Sequence, residues 1–193
     1  MTLSEFEPWP KIPRLRRDIV VTEKIDGTNA AVVIDEEGVV RAQSRSRIVT
    51  PEDDNFGFAR WTAQHADNLR YILGPGRHFG EWWGAGIQRR YGLAEKRFSL
   101  FNTKRWAEFL DPDEGTLIQR TGDGFELHVV PVLGVHPWDD SFINGCLDRL
   151  RERGSVAAPG FADPEGIIVF HPASGSMFKQ LLKGDDVPKG AAA

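Results

Sequence analysis

The sequence is short of cysteine, and it has no long apolar run. One cysteine among 193 residues, Cys146, excludes an internal disulfide and a zinc site built from several thiolates. No apolar run approaches the roughly 20 residues that span a bilayer, and the acidic start MTLSEFEPWP lacks the basic and then apolar segments of a secretory signal. These absences predict a soluble, cytoplasmic protein that is stabilised by packing and performs no thiol redox chemistry.

What is present is the composition of an ordinary globular domain. Hydrophobic residues make up 40% of the chain, which excludes a disordered protein. Apart from the three alanines at the end, there is no low-complexity segment, and we find no internal repeat or long linker. We therefore expect a single domain over residues 1–193.

The charge is uneven along the chain. A net charge of −4 argues at first against a protein that binds polyanions. Acidic residues, however, concentrate at 52–54, 111–114 and 139–140, so one face of the protein is free to be basic, although scattered solvated charges are the alternative. The basic clusters are Arg14, Arg16 and Arg17; Arg41, Arg45 and Arg47; Arg89, Arg90, Lys96 and Arg97; and Lys179 and Lys183.

Periodicity predicts more strands than helices. Apolar β-branched runs between turn residues predict strands, and glycine-containing turns at 35–38 and 121–124 predict hairpins. Since strands do not alternate strictly with helices, we expect an α+β fold with antiparallel sheets. The predicted strands cover residues 19–25, 30–34, 39–44, 77–83, 97–102, 125–135, 165–171 and 177–182.

Helical spacing occurs in two stretches. A stripe through Phe58, Trp61, His65, Leu69 and Ile72 predicts one helix over residues 57–73, with Trp61 in the core. A second helix is predicted from a cap at Asp140 or Ser141 to Gly154, and a shorter one after Thr103.

The stretch Lys24-Ile25-Asp26-Gly27 is the most informative for function. Lys24 ends an apolar strand just before a turn, and partial desolvation there favours the neutral, nucleophilic form of an amine. A surface lysine before a turn is the alternative. The tetrapeptide by itself is only suggestive, so its interpretation depends on the residues that follow it along the chain.

Further short motifs follow Lys24 in a fixed order. Together they resemble the covalent nucleotidyltransferase superfamily of DNA ligases, RNA ligases and mRNA capping enzymes, and most of all its RNA ligase 2 family, over nearly the whole chain. These motifs are Arg45 in Ser44-Arg45-Ser46-Arg47, Gly80-Glu81 in the run HFGEWWGAGIQ, Phe98 and Phe101 in RFSLF, Glu165-Gly166 before IIVF, and Lys179 in Met177-Phe178-Lys179.

The resemblance implies a fold, a nucleotide and a set of roles. The fold would be two antiparallel sheets flanked by helices, with ATP in the groove between them and Mg²⁺ or Mn²⁺ as the metal. Lys24 would be the nucleophile, Glu165 a catalytic and metal-associated carboxylate, and Lys179 a catalytic cation at the phosphates. Glu81 would bind the ribose and Phe101 would stack on adenine; the alternative for Phe98 and Phe101 is that they are plain core aromatics. The remaining nucleotide-binding candidates are Glu23, Asp26, Gly27, Arg45, which is favoured over Arg47, and Lys183.

The activity implied is that of an ATP-dependent RNA ligase. Lys24 would be adenylylated, AMP would pass to the 5′-phosphate of an RNA end, and a 3′-hydroxyl would displace AMP to seal the strand. The alternatives are a DNA ligase or capping-type guanylyltransferase, a ligase-like module that binds nucleotides or RNA ends without turnover, and adenylylation of a substrate other than nucleic acid.

The chain departs from the family pattern in three places. The second lysine expected after Lys179 is replaced by Leu181, with Lys183 two residues further on, where an extended strand would place it on the same face. Asn102 stands where an acid is common. The chain ends about ten residues after the last motif, so we expect a catalytic domain without the C-terminal OB or helical domain of relatives, unless a partner protein supplies it.

Overall fold

Strands and helices alternate irregularly in the computed structural model, which describes residue 6 and residues 8–184. The strands are β1 (Asp18–Lys24), β2 (Thr28–Ile34), β3 (Val40–Ser44), β4 (Ile48–Val49), β5 (Gly76–Gly84), β6 (Lys96–Leu100), β7 (Leu117–Arg120), β8 (Glu126–Val129), β9 (Val132–Pro137), β10 (Gly166–His171) and β11 (Ser176–Leu181). The helices are α1 (Phe58–Gln64), α2 (Ala66–Leu73), α3 (Thr103–Trp106) and α4 (Asp140–Arg153). The α+β prediction is confirmed.

The strands form two sheets. The small sheet has the order β11-β10-β1-β9, and the large sheet the order β4-β3-β2-β5-β6-β8-β7. Strands β6 and β8 run parallel, whereas the other pairs within the described residues run antiparallel. Helices α1 and α2 cover one face of the large sheet, and α4 covers one face of the small sheet. Each helix thus buries its apolar stripe against a sheet.

The chain crosses between the two sheets at neighbouring points. Residues 25–27 lead from β1 into β2, and residues 130–131 lead from β8 back into β9. The backbone N–H of Glu23 donates to the carbonyl of Pro131 across 2.9 Å, which ties the two crossings together. A buried cluster of Ile25, Trp83, Tyr91, Val130, Ala157 and Ala158 lies beneath them.

The strands differ from the prediction in three places, whereas both predicted hairpin turns are found. The single strand predicted over residues 125–135 is wrong: it is two strands in different sheets, because Pro131 has no N–H to continue a ladder. Strands β4 and β7 were not predicted, since they are only 2 and 4 residues long. Both predicted hairpin turns are present, with Gly38 at φ 80° and Gly124 at φ 84°.

The predicted helices are confirmed in place but not in detail. The helix expected over residues 57–73 is interrupted at His65, whose φ of −108° lies outside the helical range and whose ring packs on Phe125. Helix α4 is capped by Asp139 rather than by Asp140 or Ser141, because the Asp139 carboxylate accepts from the N–H of Phe142 at 3.0 Å. No helix within the described residues is long and apolar enough to cross a membrane.

Candidate active site

Lys24 lies at the first crossing, where the small sheet gives way to the large one. It is the last residue of β1 and pairs with Gly166, the first residue of β10. Its side-chain amine donates to the carboxylate of Glu165, and the two side chains are 24% and 10% exposed. The pairing of β1 with β10 therefore joins two residues that are 141 positions apart.

The turn after Lys24 is held against the large sheet by a close approach. A Cβ atom on Gly27 would lie 2.5 Å from the carbonyl oxygen of Trp82 and 2.7 Å from the Cβ of Trp83. Only glycine fits at this position without moving the turn. Because Gly27 is next to Asp26 and three residues from Lys24, its contact with β5 fixes where the amine stands relative to the large sheet.

Glu81 on β5 faces the same junction from the large sheet. Its carboxylate accepts from the N–H of Gly27 and from the side-chain amide of Asn29, each at 3.0 Å. Burial raises the pKa of Glu81 to about 7, while the charge of Lys24 and these two hydrogen bonds oppose the rise and the charge of Glu165 adds to it. Glu81 is therefore an acceptor whose ionisation falls in the neutral range.

An ion-pair chain joins the turn to the segment before β10. The Arg89 guanidinium contacts Asp26 at 3.0 Å and Asp163 at 2.7 Å, and Asp163 also accepts from the Lys183 amine at 2.7 Å. The hydroxyl of buried Tyr91 accepts from the N–H of Asp26 at 2.8 Å. This network holds together the turn after Lys24 and the segment before Glu165. Within it, the Lys183 amine is paired with the Asp163 carboxylate.

Lys179 and Leu181 lie on β11, at the edge of the small sheet. Lys179 pairs with Ile168, which pairs with Thr22, so Lys179 shares the face of Lys24 but stands one row away. Leu181 pairs with Gly166 and stands in the row of Lys24 itself. Strand β11 ends at Leu181, so Lys183 lies beyond the strand rather than on its face.

The two candidate phenylalanines have different environments. Phe98 is fully buried in the core, whereas Phe101 is 42% exposed. Phe101 donates its N–H to the carbonyl of Phe79 on β5, and Phe79 lies two residues before Glu81, on the same face. An exposed ring thus stands beside Glu81. Asn102 caps α3 through its side chain, which accepts from the N–H of Arg105.

The remaining candidates, Arg45 and Glu23, differ in exposure and in contacts. Arg45 is exposed, in the turn between β3 and β4, and its side chain has no hydrogen bond or ion pair with the described residues, whereas Arg47 contacts Asp53 at 2.6 Å. Glu23 points to the opposite face from Lys24 and is 1% exposed. Its carboxylate accepts from the Ser155 hydroxyl at 2.6 Å and from two backbone N–H groups, so it anchors the segment after α4.

The structure brings together Lys24, Gly27, Glu81 and Glu165, and it adds residues that the sequence analysis missed. Asn29 donates to the carboxylate of Glu81, and Arg89 donates to that of Asp26. Arg89 lies in a predicted basic cluster, and Asn29 follows the turn after Lys24. Nothing in the sequence around either residue predicts which carboxylate it contacts. The arrangement combines an amine, a carboxylate that binds it, a buried acceptor and an exposed ring, which suits attack on a bound nucleotide.

Comparisons with known proteins identify the family and the fold. A family model described as RNA ligase matches residues 17–183. Three structures of the Naegleria gruberi RNA ligase are similar: one variant with AMP and Mn (TM-score 0.59, 17% identity), another with ATP and Mn (0.57, 16%), and the protein with PPi (0.55, 17%). Each match covers 86% of this chain, which spans about half the length of those proteins: 50%, 49% and 50%. At such identities the likeness shows the fold, and it confirms the predicted two-sheet architecture.

Proposed function

Because the chain belongs to the RNA ligase family of nucleotidyltransferases, we propose that it is an ATP-dependent RNA ligase with Lys24 as its nucleophile. The observation that carries this proposal is the contact of the Lys24 amine with Glu165 at the meeting point of the sheets, beside buried Glu81. ATP is supported as the nucleotide by the similar Naegleria gruberi ligase, whose structures hold ATP or AMP with Mn.

The first step is attack of the Lys24 amine on the α-phosphorus of ATP. A nitrogen–phosphorus bond forms, the bond to pyrophosphate breaks, and the nitrogen loses a proton, which leaves lysyl-AMP. For this the amine must leave its contact with Glu165. Lys179, on the same face of the small sheet, supplies positive charge for the phosphates.

Glu165 is the residue that would hold a divalent metal. No group of three or more acidic, histidine or cysteine side chains forms a metal cage in the described part of the chain. Mg²⁺ and similar ions bind proteins through one or two carboxylates, together with water and substrate phosphates, so the single carboxylate of Glu165 fits this use. The metal would supply positive charge against the phosphates.

The large sheet would bind the nucleoside. Glu81 accepts hydrogen bonds in the structure and would accept them from the ribose hydroxyls, and the exposed face of Phe101 would stack on adenine. Arg45, with no partner among the described residues, would contact a phosphate. Asp26 and Gly27 would act through the position of the turn, and Lys183 and Glu23 through the segments that they hold.

The second and third steps join the RNA. A 5′-phosphate oxygen attacks the phosphorus of lysyl-AMP and releases the Lys24 amine, giving an adenylylated RNA end. A 3′-hydroxyl then attacks the 5′-phosphate, and AMP leaves as the phosphodiester bond forms. We also propose that residues 1–193 act as one catalytic domain in this sequence of steps.

One observation favours a second function, a module that binds nucleotides or RNA ends without turnover. Leu181 stands in the row of Lys24, where the family pattern has a second lysine, so the proposed site has one cation fewer near the phosphates. Against this stands Lys24 itself, because a binding module needs no nucleophile.

The test is covalent labelling. Purified protein, freed of bound adenylate with pyrophosphate, is incubated with α-labelled ATP and Mg²⁺, next to Lys24→Ala and the exposed-lysine control Lys104→Ala. Lysyl-AMP is detected on denaturing gels and by intact mass. We expect label in the wild type and in Lys104→Ala and none in Lys24→Ala. A wild type that stays unlabelled with both ATP and GTP would favour the binding module. If the wild type is labelled, sealing assays on RNA, DNA and hybrid nicks identify the substrate.

A further inference from the structure

The segment before β1 is exposed and has no regular secondary structure. Residues 8–17, here called the basic arm, form neither helix nor strand, and every one of them is exposed. Its largest apolar side chains are open to solvent, with Trp9 87% and Ile12 86% exposed. Single exposed apolar residues are common, but a tryptophan and an isoleucine on such a segment offer a contact surface.

The basic arm is positively charged and has no acid of its own. It contains Lys11, Arg14, Arg16 and Arg17 and no aspartate or glutamate. None of these side chains forms a hydrogen bond or ion pair with a described residue. Each of the other predicted basic clusters is at least partly neutralised within the protein, by pairs such as Arg41 with Asp35, Arg97 with Glu95 and Lys183 with Asp163. The arm therefore keeps its charge available for a partner.

The spacing of the arm sorts its side chains by kind. Pro8, Pro10 and Pro13 disfavour helix at the positions before them and favour an extended conformation with three residues per turn. Apolar and basic residues each recur every third position, one register apart, so a threefold conformation over residues 8–14 places Trp9 and Ile12 on one edge and Lys11 and Arg14 on another. Residues 15–17 then form a bend, in which the N–H of Arg17 donates to the carbonyl of Leu15 at 2.9 Å.

The arm leaves the fold at the end of the small sheet opposite to Lys24. The imidazole of His171 contacts the carbonyl of Leu15, and the N–H of Trp138 donates to the carbonyl of Arg17, both at 2.9 Å. Strand β1 then runs from Asp18 to Lys24. At about 3.3 Å per residue the root of the arm lies about 20 Å from the nucleophile along this strand.

We propose that the basic arm binds the RNA strand beyond the joining site, with its arginines on phosphates and Trp9 stacked on a base. Four cations without an acid match a polyanion better than a protein surface. A stacked strand advances about 3.4 Å per nucleotide, so the arm meets RNA about six nucleotides from the end held at Lys24. The inference rests on the proposed function, since it takes RNA as the substrate.

The test compares RNA length and salt dependence. Binding of 5′-phosphorylated single-stranded RNAs of 4 and 20 nucleotides is followed by fluorescence anisotropy over a range of KCl concentrations. The variant R14Q/R16Q is compared with R151Q/R153Q, which removes the same charge from α4. For the 20-mer we expect the slope of log K against log salt to shrink by about 1.4 in the arm variant only, since each single-strand phosphate contact contributes about 0.7. Trp9→Ala should weaken 20-mer binding at least about fivefold, and the 4-mer should bind all variants alike.

Three results would overturn the proposal. In the first, the arm variants bind the 20-mer with the wild-type slope and affinity; in the second, they lose equal affinity for both RNAs. In the third, RNA binding is unchanged while the mass in solution falls, which would make the arm a contact for a second copy of the chain. Lysyl-AMP formation, which needs no RNA, is measured in parallel, and its absence from the wild type refutes the proposed ligase. Binding of the 20-mer by the arm variants tests the role of the arm separately.

Discussion

The small and large sheets bring different chemistry to one junction. The small sheet carries Lys24 and Lys179 on strands whose register sets their spacing, and Glu165 directly before β10. The large sheet carries a buried acceptor, Glu81, and an exposed ring, Phe101. Under the proposed function, the comparison teaches that reaction and recognition are divided between two separately packed sheets. Changes on the small sheet should therefore alter the rate of lysyl-AMP formation, and changes on the large sheet the affinity for ATP.

Glu165→Gln should have the largest effect. The substitution keeps the shape of the side chain but removes the charge that faces Lys24, and we expect lysyl-AMP formation to slow by about 10²–10³-fold, with little change in the ATP concentration for half-saturation. Single-turnover labelling over a range of ATP concentrations measures both. Glu126→Gln, the same change on β8 of the large sheet, should react like the wild type. If Glu165→Gln changes only the half-saturating ATP concentration and not the rate, the division of roles between the two sheets is wrong.

Glu81→Gln should change how stability depends on pH. Burial raises the pKa of Glu81 from 4.5 to about 7, so the folded protein holds a proton that the unfolded chain releases above pH 4.5. Stability from this group is therefore present below pH 4.5 and is lost as the pH rises to about 7, by about 3 kcal/mol. Urea unfolding at pH 5 and pH 7.5 should show a smaller loss in Glu81→Gln than in the wild type. Equal losses would show that Glu81 ionises normally in the folded protein.

Phe101→Ala should weaken ATP binding without a comparable change in rate. Removal of a ring stacked on adenine should raise the half-saturating ATP concentration about tenfold. Phe79→Ala is the matched control, because Phe79 is 53% exposed on the adjacent strand. If Phe79→Ala has the larger effect, the adenine lies one strand over, on β5.

Leu181→Lys should have the smallest effect, and in the opposite direction. It places a second cation in the row of Lys24, and we expect lysyl-AMP to form several-fold faster because negative charge on the phosphates is better balanced. Gln180→Lys adds the same charge on the opposite face of β11 and serves as the control. Equal rates in all three proteins would show that Leu181 stands away from the phosphates.

Local patterns in the sequence were enough to predict much of the fold. The apolar β-branched runs at β1 and β10, the helical stripe from Phe58 to Ile72 and the glycine that ends α4 correspond to elements of the structure, because side-chain periodicity and capping act within a few residues. The strand predicted over 125–135 was wrong because both halves are apolar, and the sheet that each half joins depends on distant partners. The same limit applied to His65, whose break in the helix follows from its packing against Phe125.

The sequence by itself determined the family, the α+β class and the order of the candidate residues from Lys24 to Lys179. The tertiary structure decided which of those residues meet. It paired Lys24 with Glu165, turned Glu23 to the opposite face, engaged Lys183 with Asp163 and placed Asn29 and Arg89 at the site. The physical reason is that motifs record residue types along the chain, whereas contacts depend on strand order and register, which long-range pairing and burial select.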